Sequence, residues 1–355
     1  MLIVIGIIVV INVRFKNYGK YAGLKYGKEV KISGTASLKN NDGRIYVTTA
    51  DGMRGFDSDC GLLMDVAFDI DHPMTVGCGD VAAIADIGGT KVYVISSSGI
   101  PHSYQTDLPI VKICAAQDGT TAVLLDDDKR DLVRVYDPEG ELKVEIGTKT
   151  AVDGFPVDIA LSRDGRKLAT LYLAFEGENL LSKVTFYNMD AVGKNFIENI
   201  VGQKIYMGEM AHSVDFMGNN HVALIFDNGF SLFAMEEIPS LTADKRIEEK
   251  ISDISLCDQC ITVITEGKAG NTLTFYGKNG TATGKITGLG DCESLTTVNG
   301  EALLIDSRTV KIYRMNGTVK LDRAFEGNGA KLYSGGGNDY FITDADSIRS
   351  VSLTR

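Results

Sequence analysis

Two cysteines separated by two residues, Cys257 and Cys260, form the only Cys-x-x-Cys motif of the sequence. Such a pair supports redox chemistry when a helix N-terminus lowers the pKa of one thiol, and it binds structural zinc when a second pair completes the ligands. The motif falls in a turn between two predicted strands, which offers no helix dipole, and no second pair exists. Two interpretations remain: a local disulfide across the turn, in an oxidising compartment, or two ordinary thiols.

The densest acidic cluster, Asp126, Asp127 and Asp128 with Asp131 nearby, is the only weak candidate for a metal site. Carboxylate oxygens suit a hard cation such as calcium. However, two basic residues interrupt the cluster, and it lies between two predicted strands, so we expect a solvated turn. The four histidines lack metal-ligand spacing, and neither a nucleophile elbow nor a phosphate loop occurs. We therefore assign no catalytic residue and no cofactor-binding residue.

The charge of the chain is unevenly distributed. The total is −11, and 44% of the residues are hydrophobic, a globular composition. Residues 1–33 hold six basic residues against Glu29, a net charge of +5, so the remaining chain carries −16. Because an acidic body repels phosphate backbones, nucleic acid is not expected as a partner. A basic stretch that follows an apolar one points to a membrane surface.

The sequence begins with the apolar run MLIVIGIIVVINV. Its uninterrupted part is shorter than the ~20 residues that span a bilayer core. A signal peptide requires basic residues before its apolar run, and none precedes this one. It fits the end of an anchor that starts upstream, an unusual signal sequence or a buried strand. We favour a partial transmembrane anchor or signal-anchor at 1–13 and a basic linker at 14–23, although the positive-inside rule alone would place the body in the cytoplasm.

A turn signal recurs about every 40 residues, with spacings from 37 to 55. Examples are Asn41-Asp42-Gly43, Arg163-Asp164-Gly165 and Val298-Asn299-Gly300. Asn-Gly and Asp-Gly favour the positive φ angles of two-residue hairpins. An apolar strand precedes each turn, a second apolar strand follows it, and an alternating third strand such as LVRVYD leads to a polar fourth.

Four antiparallel strands per repeat predict an all-β fold, a β-propeller of four-stranded blades over residues 24–355. Eight turn signals favour eight blades, and seven result if the first or last unit is miscounted. The last unit contains only three strands, so the segment 24–33 should supply its fourth strand and close the ring. We also expect a short helix within residues 235–250.

The repeated pattern of a DG turn, an apolar strand and a VYD strand ending at an EG turn resembles WD-like and quinoprotein-like propellers. With the apolar N-terminus, the Lys-rich link and the Trp-free, Tyr-rich blades, the whole chain is similar to a domain-of-unknown-function family. Its members are single-pass, membrane-anchored β-propeller proteins of Gram-positive anaerobic bacteria. The resemblance implies an extracytoplasmic propeller behind one anchor, and it carries over no catalytic residue.

The leading functional hypothesis is a non-catalytic binding or scaffold propeller, tethered to the outer face of the cell membrane by its N-terminal segment. A protein, a peptide or a glycan would suit such a surface as ligand, and the sequence fixes neither the ligand nor the oligomeric state. A cell-surface polymer-acting hydrolase or lyase, with carboxylates at the funnel mouth, is the alternative. A third hypothesis is an assembly factor for envelope proteins.

Overall fold

Antiparallel strands account for nearly all regular structure in the computed structural model, which describes residues 14, 16, 18–33, 36–96, 99–127, 131–148, 154–306, 308–325 and 331–355. Over these residues, thirty-two strands form eight four-stranded sheets, the blades of a β-propeller. The predicted fold class, with eight blades, is therefore confirmed.

The strands follow one another along the chain, blade by blade. Blade 1 contains β2 (Ser37–Asn41), β3 (Arg44–Thr49), β4 (Gly52–Phe56) and β5 (Leu62–Ala67). Blade 2 contains β6 (Pro73–Cys78), β7 (Val81–Asp86), β8 (Lys91–Ile95) and β9 (Pro101–Gln105). Blade 3 contains β10 (Ile110–Ala115), β11 (Thr121–Leu125), β12 (Leu132–Tyr136) and β13 (Leu142–Gly147). Blade 4 contains β14 (Phe155–Leu161), β15 (Lys167–Glu176), β16 (Asn179–Asn188) and β17 (Ile200–Met207). Blade 5 contains β18 (Ala211–Phe216), β19 (His221–Phe226), β20 (Gly229–Met235) and β21 (Pro239–Arg246).

The remaining blades follow the same order until the chain closes. Blade 6 contains β22 (Ile251–Leu256), β23 (Cys260–Thr265), β24 (Asn271–Gly277) and β25 (Ala282–Leu289). Blade 7 contains β26 (Ser294–Val298), β27 (Glu301–Asp306), β28 (Thr309–Arg314) and β29 (Val319–Ala324). Blade 8 contains β30 (Lys331–Gly336), β31 (Asp339–Thr343), β32 (Ser347–Thr354) and β1 (Gly23–Lys31).

Blade 8 is completed by the N-terminal strand, as predicted. β1 pairs antiparallel with β32, from Gly23 opposite Thr354 to Lys31 opposite Ser347. The backbone N–H of Ala22 also donates to the Thr354 carbonyl at 2.8 Å. This closure pairs the backbone groups that β32 would otherwise leave unpaired along that edge.

The second strand of a blade is buried on both faces, which explains its uninterrupted apolar sequence. All residues of β7 and of β11 are buried. Apolar clusters fill the space between successive blades, such as Ala160, Leu171 and Phe186 with Val214 and Phe226 between blades 4 and 5. The chain divides into two compact units, one with blades 1 to 5 and one with blades 6 to 8.

The departures from the minimum blade lie where the repeat spacing is longest. β15 and β16 are ten residues each, and two 3₁₀ turns, Gly193–Asn195 and Ile197–Asn199, precede β17. The helix expected within 235–250 is wrong, because Pro239–Arg246 pairs with β20 as a strand. Over the residues that the structure covers, no helix has the length and apolar character needed to span a membrane. The predicted anchor at 1–13 lies outside the described residues.

Candidate functional site

A pocket of about 990 Å³ opens in the unit that holds blades 6 to 8. The basic side chains that line it are Lys16, Arg314, Lys320 and Arg355, and its lining contains one acidic side chain, that of Glu301. We call this site the basic pocket. Its excess of positive charge contrasts with the net charge of −11 of the whole chain.

Hairpin geometry places the charged residues of the pocket. Asn299 and Gly300 have φ angles of 52° and 72°, as a two-residue turn with two left-handed positions requires. This turn leaves Glu301 at the start of β27, directly opposite Arg314 at the end of β28. Lys320 follows at the start of β29. The three charged residues of blade 7 thus lie at neighbouring strand ends.

Lys320, Glu301 and Tyr340 form a closed hydrogen-bonded triad. The ammonium group of Lys320 donates to Glu301 Oε1 and to the Tyr340 hydroxyl, each at 2.7 Å. The Tyr340 hydroxyl in turn donates to Glu301 Oε2 at 2.7 Å, and the Gly337 carbonyl lies 3.0 Å from the ammonium group. Lys320 is 5% exposed and Tyr340 is 1% exposed. Each polar group of the triad therefore has partners that replace water.

Burial shifts the titration of this triad. It lowers the pKa of Lys320, and the Glu301 carboxylate opposes that shift. Burial also raises the pKa of Tyr340 well above its ordinary value, and the negative charge of Glu301 adds to the rise. Tyr340 thus remains a hydroxyl that donates to the carboxylate.

Arg314 is a second buried cation beside the triad, and it is 8% exposed. Its NH2 group donates to the Gly19 carbonyl at 2.7 Å, and its NH1 group donates to the Val319 carbonyl at 3.3 Å. Within the part of the chain that the structure describes, no carboxylate forms a salt bridge with it, and burial lowers its pKa. Of the two buried cations, Lys320 is thus paired with Glu301 and Arg314 has only uncharged partners.

A second group of charged residues, with Asp158 as its buried member, lies on the first strands of blades 3 to 5, in the other unit. Lys112 of β10 forms a 2.5 Å salt bridge with Asp158 of β14. The Asp158 carboxylate also accepts the backbone N–H groups of Ile159 at 2.7 Å and of Val214 at 2.9 Å. Asp215 of β18 follows Val214. We call Lys112, Asp158 and Asp215 the first-strand cluster.

Asp215 has the most perturbed carboxyl of the cluster. It stays accessible to solvent, but the surrounding protein displaces much of its water, and this desolvation raises its pKa to about 6. The negative charge of Asp158 adds to the rise, whereas Lys39 and Lys112 oppose it. A carboxyl with a raised pKa beside a second carboxyl is an arrangement that acid–base catalysts use.

Arg163 ties together the first hairpin turns of the same unit. Its guanidinium group donates to Asp42 at 2.7 Å and to Gln117 Oε1 at 2.8 Å. Its backbone N–H donates to the Gly218 carbonyl at 3.3 Å, and its carbonyl accepts the Gln117 N–H at 2.8 Å. The turn signals of blades 1, 3, 4 and 5 therefore meet around one residue. The sequence predicted that these segments form turns, but it did not predict that the turns contact one another.

The residues singled out from the sequence lie apart from both charged sites, except at one turn. Asp126 and Asp127 follow β11. Burial raises the pKa of Asp131, and the negative charges of Asp126 and Asp127 add to this rise. Asp128 lies outside the described residues. In the described ranges, no group of three or more His, Cys, Asp or Glu side chains is placed to hold a metal ion.

Cys257 and Cys260 flank the first turn of blade 6, and Gln259 between them lines the basic pocket. Their Sγ atoms lie 3.8 Å apart, whereas a disulfide bond is about 2.05 Å long. The structure thus shows two thiols in contact, and the disulfide stays a prediction.

The sequence reading missed the pocket residues and the first-strand cluster. One signal was present for the latter. Lys112, Asp158 and Asp253 each directly follow a bulge in the pairing of a first strand with its second strand, in blades 3, 4 and 6. A charged residue at the same position of several repeats indicates a shared environment. For Lys320 and Arg314, no comparable repeat exists.

Known structures share the fold of this chain at low sequence identity. AztD from Citrobacter koseri is 11% identical, with a TM-score of 0.56 over 82% of this chain and 87% of that one. Dipeptidyl peptidase 4 from Porphyromonas gingivalis is 13% identical, with a TM-score of 0.59 over 90% of this chain and 58% of that one. Sqt1 from Saccharomyces cerevisiae is 10% identical, with a TM-score of 0.55 over 93% of this chain and 100% of that one. Such likeness shows the fold alone.

Sequence comparison places the chain in a family without giving it an activity. None of the curated proteins matches the sequence. Residues 16–353 match a family of unknown function. This match covers the closing strand β1 and all eight blades, and it bears out the predicted relation to a domain-of-unknown-function family. The chain therefore belongs to DUF5711, a family of unknown function.

Proposed function

We propose that this protein is a non-catalytic binding propeller whose basic pocket takes a ligand that carries carboxylate groups. The observation that carries the proposal is the pair of buried cations at the pocket wall, Arg314 and Lys320, of which only Lys320 is paired with a carboxylate, that of Glu301. Burying a cation without a paired anion is unfavourable. A carboxylate that enters the pocket would offset this cost, and a planar guanidinium is suited to bind it through two hydrogen bonds.

The ligand class follows from the size and polarity of the site. A pocket of about 990 Å³ is large enough for several residues of a peptide or several sugar units. Asn299, Asn316 and Asn338 also line it and offer amide groups. An acidic peptide or an acidic glycan therefore fits the site, in agreement with the hypothesis of a peptide or glycan ligand.

The test measures binding of an oligoglutamate peptide and of an oligogalacturonate by calorimetry at low ionic strength. We expect one of these probes to bind the wild-type protein, with at least tenfold weaker binding for Arg314→Gln. Arg134→Gln is the matched control, because Arg134 is a similarly buried arginine of blade 3 that is paired with Asp107 and Glu145. No binding of either probe, or equal affinity of Arg314→Gln and wild type, would overturn the proposal.

We further propose that the N-terminal segment tethers the propeller to the outer face of the cell membrane. The apolar run at 1–13 and the six basic residues of 1–33 support a membrane contact. In the same unit as the pocket, the Gly19 carbonyl accepts from Arg314 and the Tyr21 N–H donates to the Lys320 carbonyl. The chain between the membrane and the propeller would thus reach the propeller beside the basic pocket.

The tether and its orientation are tested in intact cells. An impermeant biotinylation reagent should label lysines of the propeller without lysis, and the protein should sediment with membranes. A variant that lacks residues 1–13 should appear in the soluble fraction. Labelling only after lysis would contradict the outward orientation, and sedimentation of the truncated variant would contradict the tether.

A second candidate function is hydrolysis or elimination on a cell-surface polymer. It is favoured by Asp158 and Asp215, because the raised pKa of Asp215 suits a general acid and Asp158 beside it forms a salt bridge with Lys112. Under this hypothesis, Asp215→Asn would lose at least a hundredfold in turnover of an acidic polysaccharide, as measured by reducing ends. Equal turnover by wild type and variant would exclude Asp215 as the acid.

A further inference from the structure

The two cysteines of blade 6 lie opposite each other at the end of a hairpin. β22 ends at Leu256, which pairs with Ile261, so Cys257 and Cys260 are the next facing pair. The backbone N–H of Cys257 donates to the Cys260 carbonyl at 3.0 Å. Cα atoms of facing residues in antiparallel strands are ~4.5–5.5 Å apart, which lies in the range that a disulfide bridges. Rotation of the side chains can therefore join the two sulfurs without moving the strands.

The two thiols differ in accessibility and in acidity. Cys260 is fully buried, whereas Cys257 is half-buried. The hydrogen bond from Cys260 and the backbone N–H groups of Gly300, Gln259 and Cys260 together lower the pKa of Cys257 to about 6, against the opposing effect of burial. The same contact raises the pKa of Cys260. The turn thus provides amide donors that a helix N-terminus provides in other dithiol sites.

Cys257 lies beside the basic pocket, since its hydrogen-bond partners Gln259 and Gly300 line that pocket. The neutral Cys257 thiol donates a hydrogen bond to Gln259 Oε1 at 3.2 Å. When Cys257 ionises, a flip of this amide presents its NH₂ group to the thiolate instead. The surroundings of Cys257 can therefore stabilise both protonation states.

We propose that Cys257 and Cys260 form a reversible oxidation site, in which Cys257 reacts with a hydroperoxide and Cys260 resolves the product. The Cys257 thiolate attacks the terminal peroxide oxygen, and the O–O bond breaks to release an alcohol or water after protonation. The Cys257 sulfenic acid then loses its hydroxyl as water when the Cys260 sulfur attacks it. The two thiols are oxidised to a disulfide, the hydroperoxide is reduced, and a thiol reductant reverses the step.

The test exposes the folded, reduced protein to hydrogen peroxide and maps its cysteines by mass spectrometry. We expect a Cys257–Cys260 disulfide that dithiothreitol removes. Cys257→Ser should form no disulfide and leave Cys260 as a thiol. Cys292→Ser is the matched control and should not change the reaction, because burial raises the pKa of Cys292 to about 11.

Two variants at the resolving position separate its role from a structural one. Cys260→Ser and Cys260→Ala should both accumulate a Cys257 sulfenic acid that dimedone traps. Cys260→Ser should react at least threefold faster than Cys260→Ala, because only serine keeps a hydrogen-bond donor beside Cys257. The proposal fails if Cys257 and Cys260 stay reduced in folded protein under excess peroxide. It also fails if Cys292 is oxidised as fast as Cys257.

Discussion

The basic pocket and the first-strand cluster combine charges in opposite proportions. In the pocket, two buried cations, Arg314 and Lys320, lie with one acidic side chain, that of Glu301, which is paired with Lys320. In the first-strand cluster, two carboxyls, those of Asp158 and Asp215, lie with one cation, Lys112, which is paired with Asp158. The same repeated blade thus supports one site with an excess of positive charge and one site with an excess of negative charge. The first is suited to bind an anion, and the second is suited to hold a proton.

The two sites also differ in what satisfies their charges. The carboxylate of Glu301 has only side-chain partners among the hydrogen bonds of the described residues, namely Lys320 and Tyr340. The carboxylate of Asp158 accepts two backbone N–H groups besides its salt bridge with Lys112. Backbone donors stay in place when a side chain is replaced. Loss of the lysine should therefore destabilise the pocket more than the cluster.

The largest expected effect follows from replacing Lys320 with methionine. The substitution keeps an apolar chain of similar length but leaves the half-buried Glu301 with only Tyr340 as donor. We expect the free energy of unfolding to fall by about 3–5 kcal/mol, as for one partner removed from a buried ion pair. Urea unfolding at pH 7 measures it.

The double variant Lys320→Met with Glu301→Leu tests the cause of that loss. Removing the stranded carboxylate should recover at least half of the stability, because an apolar pair can replace a buried ion pair. If the double variant is as unstable as Lys320→Met, the loss comes from packing and the comparison between the two sites does not hold.

The eight blades follow from the sequence because their signals are local. The Asn299-Gly300 turn has the positive φ angles that its residues favour, and the second strands are apolar because both faces are buried. The buried state of Lys320 depends on distant residues. Its strand, β29, reads as a polar fourth strand, but the N-terminal segment covers its start, with the Tyr21 N–H bonded to the Lys320 carbonyl at 2.8 Å. No local pattern encodes that cover.

The corresponding substitution in the first-strand cluster, Lys112→Met, should have a smaller effect. Asp158 keeps its two backbone donors, so we expect a loss of about 2 kcal/mol at pH 7, between that of a hydrogen bond and that of a buried ion pair. Part of this loss comes from unbalanced repulsion between Asp158 and Asp215, which Lys112 moderates. The loss should therefore shrink at pH 5, where Asp215 is largely protonated. Urea unfolding at both pH values measures it, and a loss as large as that of Lys320→Met would contradict the role of the backbone donors.

The smallest effect, and the one with opposite sign, is expected for Asp215→Asn. The pKa of Asp215 is about 6 in the folded protein against an ordinary value of 3.8. A raised carboxyl pKa means that ionised Asp215 destabilises the fold above pH 6. This penalty decreases as the pH falls from 6 to 3.8, and it is absent below 3.8.

Asparagine carries no charge, so the Asp215→Asn variant should be more stable than wild type at pH 8. Each pKa unit corresponds to ~1.4 kcal/mol, and because solvent screens an accessible carboxylate we expect a gain of only about 1 kcal/mol. The gain should vanish near pH 4. Thermal unfolding across pH 4 to 8 measures it, with Asp65→Asn on β5 of the same unit as the exposed control. A gain that is the same at pH 4 and at pH 8 would show that the negative charge on Asp215 is not its source.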